Sequence, residues 1–463
     1  PEPVGVRDGR RPAGAELGDP VGVLAADGVV IDDQSVGGEH GAVLGLEGDD
    51  GGHGSRLGRP TENAPGGSQS PSVPAANAER MPSRRDLLAT LGAGVVAGLA
   101  GCSGSDCSPV EPVGTDWPQP GGDPANTAAA PDHDVRSPVG ERWRTQAGGG
   151  SEVLAFAGAA VDTDRIVALG RTTDVGFLTR FDTASGEQTD HVRVPRRIAA
   201  PPVVVDGYTA IVVRTDAGAA LRLLEGGEVR QRHSLGDAPA TPRAADGVLF
   251  GGDANGAFAY GTEDGRRWRR DFGDEREGGA VSFSPAVDDG TAYVTVTSSS
   301  DRGIYALDRG SGEVLWSVEG PRAFQSPVRV GSLLLVPAEY ELLAFDAATG
   351  ERRWSTPTPA DRRAFLTPAG RGQRLAVSDG WAVHGLDRET GELGWSVDFE
   401  GVGRPVVVGD TVVASDGTGV VALDLADGSE RWRLDRVSLV APLANGVLVR
   451  RDDELVACTT CEN

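Results

Sequence analysis

The sequence predicts an all-β chain: an eight-bladed β-propeller of four-stranded antiparallel blades. Three observations carry this expectation. A turn motif recurs at intervals of about 40 residues, a proline heads a short apolar strand at a similar interval, and a fragment near residue 143 repeats the outer strand near residue 432. Repeats of this length holding four short strands are the size of a propeller blade.

The turn motif reads ALDRGSGEVLW (306–316), AFDAATGERRW (344–354), GLDRETGELGW (385–395) and ALDLADGSERW (422–432). The series Asp308/Gly312/Trp316, Asp346/Gly350/Trp354, Asp387/Gly391/Trp395 and Asp424/Gly428/Trp432 keeps one spacing throughout. Three weaker copies stand upstream: one at Asp182–Gly186 with Asp190 in the Trp position, one at Tyr260 to Trp268 with a shorter turn, and a degraded one at residues 224–228. Asp bonds back to its own turn backbone, Gly accepts the positive φ of the reversal, and Trp supplies a large anchor between neighbouring sheets.

Each hairpin follows a proline: Pro202, Pro242, Pro285, Pro327, Pro368, Pro405 and Pro442, spaced 37 to 43 residues apart. Proline at the first residue of a strand costs no ladder donor. Between that proline and the Asp there is room for three strands, and the Trp strand makes a fourth. Outer strands then centre near residues 143, 190, 230, 268, 316, 354, 395 and 432, which makes eight. After Trp432 the chain supplies three strands, at 439–443, 447–450 and 455–458. Glu141-Arg142-Trp143-Arg144 repeats Glu430-Arg431-Trp432-Arg433. The N-terminal strand near Trp143 is therefore expected to complete the last blade and close the ring without open edges.

Ahead of this domain, assigned to residues 139–461, residues 81–102 read as an export signal. A charged start holds Arg84 and Arg85, an apolar run of 14 residues follows at 87–100, and Leu99-Ala100-Gly101-Cys102 closes it. That run is short of the roughly 20 apolar residues that span a bilayer. The Arg84-Arg85 pair resembles a twin-arginine motif, and the closing tetrapeptide resembles a lipobox, in which Cys102 is lipidated. The chain's single methionine is Met81, so residues 1–80 are expected to be either upstream of the true start or a low-complexity leader. Residues 103–138 form a linker and lead-in. The expected location is the extracytoplasmic face of the cell membrane, lipid-anchored.

Net charge is −24, and all 44 basic residues are arginine. Such a surface excludes nucleic acid as a partner, since phosphate binding needs clustered positive charge. The lysine-free acidic composition resembles proteins of salt-loving archaea, where screening at high salt suppresses self-repulsion. With Cys102 assigned to the lipid, Cys107, Cys458 and Cys461 remain. Cys458 and Cys461 are candidates for a small-loop disulfide, the alternative being that one of them pairs with Cys107. Three thiols without a nearby histidine make a poor metal site. The six histidines are scattered singly, and no catalytic residue or metal site is assigned.

One charge pattern suggests binding. Arg196, Arg197, Arg322, Arg362, Arg363, Arg404 and Arg436 lie in the loops before the inner-strand prolines, only slightly more often than composition alone gives. Arg197, Arg322, Arg363, Arg404 and Arg436 are the candidates for an anion-binding ring at the channel, acting through bidentate bonds.

The proline-headed strand, the Ala-Leu-Asp stretch, the Thr-Gly-Glu turn and the Trp together resemble the pyrroloquinoline quinone (PQQ)-like repeat. Asp116-Trp117-Pro118 and Gly121-Gly122-Asp123-Pro124-Ala125-Asn126-Thr127 resemble the lead-in before such propellers in exported archaeal members. The resemblance implies the eight-bladed fold. It implies two functions as well: quinoprotein dehydrogenases with calcium, a catalytic aspartate and often adjacent cysteines, and non-enzymatic propellers such as a lipoprotein that helps assemble outer-membrane barrels. This chain has no Cys-Cys pair. The expectation is a monomeric, non-catalytic binding or assembly scaffold without cofactor, engaging a surface protein or anionic ligand. The alternative is a PQQ- and calcium-dependent dehydrogenase of alcohols or sugars.

Overall fold

The computed structural model describes residues 108–462, except 131, 137, 149–152, 274–278, 298–300, 360, 361 and 400. Residues 1–107 lie outside the described residues, and with them Arg84, Arg85, Cys102 and Cys107. Every regular element described is a strand.

Eight antiparallel sheets follow one another in chain order and form the blades of a propeller. Blade 1 is Ala155–Val161, Arg165–Arg171, Gly176–Asp182 and Gln188–Val194. Blades 2 to 7 begin at Val203, Arg243, Ala286, Val328, Ala369 and Val406, each directly after its proline. In blade 6 the inner strand is reduced to a single bridge, Ala369 to Ala376.

Burial explains the sequence pattern of each strand. The middle strands lie between neighbouring blades and are apolar on both faces, as in Leu333–Ala338, where every residue is buried. Outer strands such as Leu393–Asp398 alternate between exposed and half-buried, the period-2 signature of a sheet with one wet face. The hairpin between them follows its turn chemistry. Asp308 Oδ1 accepts from the backbone N–H of Gly310 and Ser311, and Gly312 turns the chain at φ +74°.

The sequence pattern assigns the repeat glycines to this reversal, and the structure gives them a second role. Gly312, Gly391 and Gly428 are buried, although each sits in a hairpin turn. Gly391 and Gly428 do take the expected positive φ, at +73° and +77°. Their burial comes from the preceding blade, whose tryptophan lies across the turn. A methyl group on Gly391 would strike the indole of Trp354, and one on Gly428 would stand 2.7 Å from Cε3 of Trp395. The glycine is therefore needed twice, for its backbone and as the floor on which a neighbour's ring rests.

The ring closes as the repeated fragment predicts. Blade 8 is Ser438–Leu443, Gly446–Arg451, Glu454–Glu462 and, from the opposite end of the described chain, Val139–Gln146. Trp143 stands opposite Ala457, Arg144 opposite Val456 and Thr145 opposite Leu455. One hydrophobic cluster runs from the lead-in through blades 7, 8 and 1, so the seam is packed as well as hydrogen-bonded.

Candidate functional site

The centre of the ring is where propellers hold ligands, and here the chain fills it with its own lead-in. Residues 113–135 meet the blades in order. Trp117 exchanges two 2.9 Å backbone bonds with Val161 of blade 1, and Pro118 accepts from Val204 N–H of blade 2 at 2.7 Å. The Gln119 side chain clamps both backbone groups of Ala244 in blade 3. Pro124 and Ala125 accept from Val287 and Arg329 of blades 4 and 5, Thr127 accepts from Gly370 of blade 6, and Ala129–Ala130 pairs in parallel with Val407 and Val408 of blade 7. Val113 accepts from Ala444 N–H of blade 8.

Asn126 sits at the middle of this path, wholly buried in a left-handed conformation at φ +63°. Its Oδ1 accepts from Arg243 of blade 3 at 2.6 Å, its Nδ2 donates to the Pro327 carbonyl of blade 5 at 3.0 Å, and its backbone carbonyl accepts from Arg404 of blade 7 at 2.9 Å. Beside it lies a cavity of about 170 Å³, lined by Trp117, Pro120, Ala128, Pro201, Arg404 and Leu439 among others.

A quinone centre of the kind the repeat implies does not fit these residues. Drug-sized ligands need roughly 300–1,000 Å³, and the cavity is smaller. Among the described residues no group of three or more His, Cys, Asp or Glu converges.

The five candidate arginines of the expected ring do not share one set of surroundings. Arg197 pairs with exposed Asp216 at 3.0 Å. Arg404 turns inward to the lead-in. Arg436 is exposed at φ +58° beside Arg450 and Asp452. Arg322 and Arg363 do come together, stacked on the ring of Phe324 with guanidinium carbons 5.2 and 4.6 Å from its centroid.

The expected Cys458–Cys461 disulfide is also corrected. Both residues lie in the continuous strand Glu454–Glu462. Residues three apart in a strand sit about 10 Å apart and face opposite sides, beyond the roughly 7 Å that a disulfide spans. Cys458 keeps a buried thiol, and Cys461 is the disulfide-bonded member, with its partner outside the described residues.

The Phe324 stack belongs to an exposed face of blades 4 to 6 that sequence reasoning missed. Tyr340, in the hairpin turn of blade 5, is 60% exposed and held at φ +66°. Its N–H donates to the Arg363 carbonyl at 2.7 Å, and its carbonyl accepts from Thr358 at 2.9 Å. Trp381, in the equivalent turn of blade 6, is 50% exposed. Asp379 Oδ1 accepts from the N–H groups of Trp381 and Ala382 at 2.8 Å, which fixes that turn, and Arg362 lies 5.0 Å from the indole ring. Alongside runs a groove of about 570 Å³ lined by Arg302, Arg322 and Arg352 and by Glu319, Glu339 and Glu341 among others. Trp381 carried a signal in the sequence: it is a tryptophan outside the repeat spacing.

Closed ring, filled channel and repeat turns together define a β-propeller of the PQQ-like-repeat class. The chain belongs to the family described as "Outer membrane protein assembly factor BamB", whose model matches residues 225–366 and again 364–460. No curated protein gives a significant match. Among solved structures, BamB from Moraxella catarrhalis is similar over 69% of this chain and 99% of its own, at 16% identity and a TM-score of 0.53. Quinohemoprotein alcohol dehydrogenase from Comamonas testosteroni is similar over 75% of this chain and 82% of its own, at 13% identity and a TM-score of 0.58. The computationally designed Ika8 protein is similar over 72% and 99%, at 12% identity and a TM-score of 0.53. Likeness at these identities is likeness of fold.

Proposed function

We propose that this protein is a non-catalytic binding or assembly scaffold, tethered as a monomer to the extracytoplasmic face of the membrane through a lipid on Cys102. The observation that carries the reading is the filled channel: the lead-in takes up the blade contacts around Asn126 and leaves a cavity of about 170 Å³. The family description, an assembly factor, points the same way.

The rival is a PQQ-dependent dehydrogenase, favoured by the fold shared with quinohemoprotein alcohol dehydrogenase. Adding PQQ and calcium to the purified protein separates the two. The scaffold reading expects no bound-quinone absorbance and no alcohol- or sugar-dependent dye reduction; both signals together would replace it with the dehydrogenase. The tether has its own test: Cys102→Ser should move the protein from the membrane fraction to the soluble one.

A further inference from the structure

We propose that the face built by Arg322, Phe324, Tyr340, Arg363 and Trp381 is a docking surface for an acidic, apolar-tipped segment of a partner protein. This deepens the scaffold reading and rests on it.

The tryptophans supply the first argument. Of eight in the chain, six donate their indole N–H to a backbone carbonyl beyond their own blade: Trp143, Trp268, Trp316, Trp354, Trp395 and Trp432. Trp117 is 4% exposed beside the channel cavity. Trp381 alone has no such structural task, and half its surface meets solvent. Exposed Trp and Tyr beside Arg is the composition of interface hot spots.

Pre-organisation is the second. Tyr340 is a bulky residue in the left-handed region, a conformation that costs about 1–3 kcal/mol and persists only where its surroundings fix it. Both of its backbone groups are hydrogen-bonded, as is the Asp379 turn that presents Trp381. Two aromatic side chains are thereby displayed with little left to order on binding.

Charge decides the chemistry of the occupant. Arg322 and Arg363 share one aromatic ring, and Arg362 covers the next aromatic along. A carboxylate brought to this face would be held by these guanidinium groups through charge-assisted bonds. The nearest internal acid, Glu339, reaches Arg363 at only 3.4 Å. Asp379 lies 3.9 Å from Arg362, so three arginines face two internal acids on a chain of net charge −24. The exposed rings of Tyr340 and Trp381 beside these arginines offer apolar surface to an aliphatic or aromatic side chain, so the fitting partner is a peptide segment that carries both acid and apolar groups.

The test uses the purified full chain and three fluorescein-labelled peptides: alternating Asp-Glu-Leu, the same with Lys for the acids, and an Asp-Glu-Ser control. The Asp-Glu-Leu peptide should bind, the lysine peptide should not, and the serine control should bind at least about fivefold more weakly. Arg322→Glu with Arg363→Glu, and separately Trp381→Ala, should each weaken binding about tenfold or more, with melting temperature measured alongside to show that the variants fold. Equal binding of the lysine peptide, unchanged binding by both variants, or capture only of vesicles containing phosphatidylglycerol would each overturn the proposal. Quinone binding with peptide binding intact would overturn the scaffold reading and leave the surface standing. Loss of the surface without a quinone signal would do the reverse.

Discussion

The indole Nε1 of Trp316 in blade 4 donates to the carbonyl of Ala347, one residue past the turn aspartate of blade 5, at 3.0 Å. The same joint recurs from Trp143 to Thr183, Trp268 to Arg309, Trp354 to Arg388 and Trp395 to Leu425. Blade 8 has no continuous turn between its third and fourth strands, so Trp432 donates to Val135 of the lead-in instead. Where blade 2 lacks Trp, Gln231 donates to Thr262 of blade 3. The repeat thus encodes a latch between blades as much as a hairpin within one.

Trp316→Phe keeps most of the ring and loses the donor. It should cost about 1 kcal/mol, whereas Trp316→Ala should cost about 3 kcal/mol through lost burial. Urea unfolding of both variants checks the ordering; a Trp316→Phe variant as stable as the parent would show that the hydrogen bond contributes nothing.

Gly350 should tolerate no side chain. It turns at φ +74°, and a methyl group placed there would stand 2.7 Å from Cε3 of Trp316. Gly350→Ala should cost at least about 1–2 kcal/mol from backbone strain alone. Gly207→Ala is the comparison: its φ is +80° with open space around a methyl group, so it isolates the backbone cost. The difference between the two midpoints measures the contact.

The lead-in should behave as a structural part of the ring. Asn126→Ala removes the side-chain bonds to Arg243 and Pro327 at a left-handed position. A loss of about 2–3 kcal/mol is expected, since a buried guanidinium loses an acceptor. Differential scanning calorimetry should show one transition at lower temperature. A variant as stable as the parent would mean that the ring holds without this plug.

Acid should unfold the protein over a defined window. Hydrogen bonds from Arg431 and then Arg136 hold Asp410 down to about 2 from 3.8. Burial pushes the Asp253 carboxyl upward, but Arg269 and the N–H groups of Gly236 and Asn255 outweigh it and leave it below 3.8. With folded values below unfolded ones, these pairs stabilise fully above about pH 4, and the contribution is lost as pH falls towards 2. Asp253→Asn should be destabilised at pH 7 and lose less stability than the parent across that window, read from denaturation midpoints at each pH.

Cysteine variants separate the two C-terminal thiols. Cys461→Ser should expose one additional titratable thiol in the unfolded, unreduced protein by releasing its partner, and Cys458→Ser should remove one without breaking any bridge. One additional thiol exposed by each of the two variants would restore the Cys458–Cys461 pairing.

Much of this architecture was legible before any coordinate. The Asp-Gly turn and the proline-headed strand act over a few residues and follow from local backbone chemistry. Their regular spacing gave the blade count, and the duplicated Glu-Arg-Trp-Arg gave the closure. The positive φ of Gly391 and Gly428 was legible in the same way, whereas their burial under Trp354 and Trp395 was not. The latch partners, the course of the lead-in, the splitting of the arginine loops and the exposure of Trp381 were equally hidden. Each depends on residues far apart in the chain, such as Asn126 and Pro327, separated by 201 positions. Periodicity reports how a segment pairs with its neighbours in sequence. Which distant side chains then share a cavity or a surface is decided only when the ring closes and packing allots the remaining space.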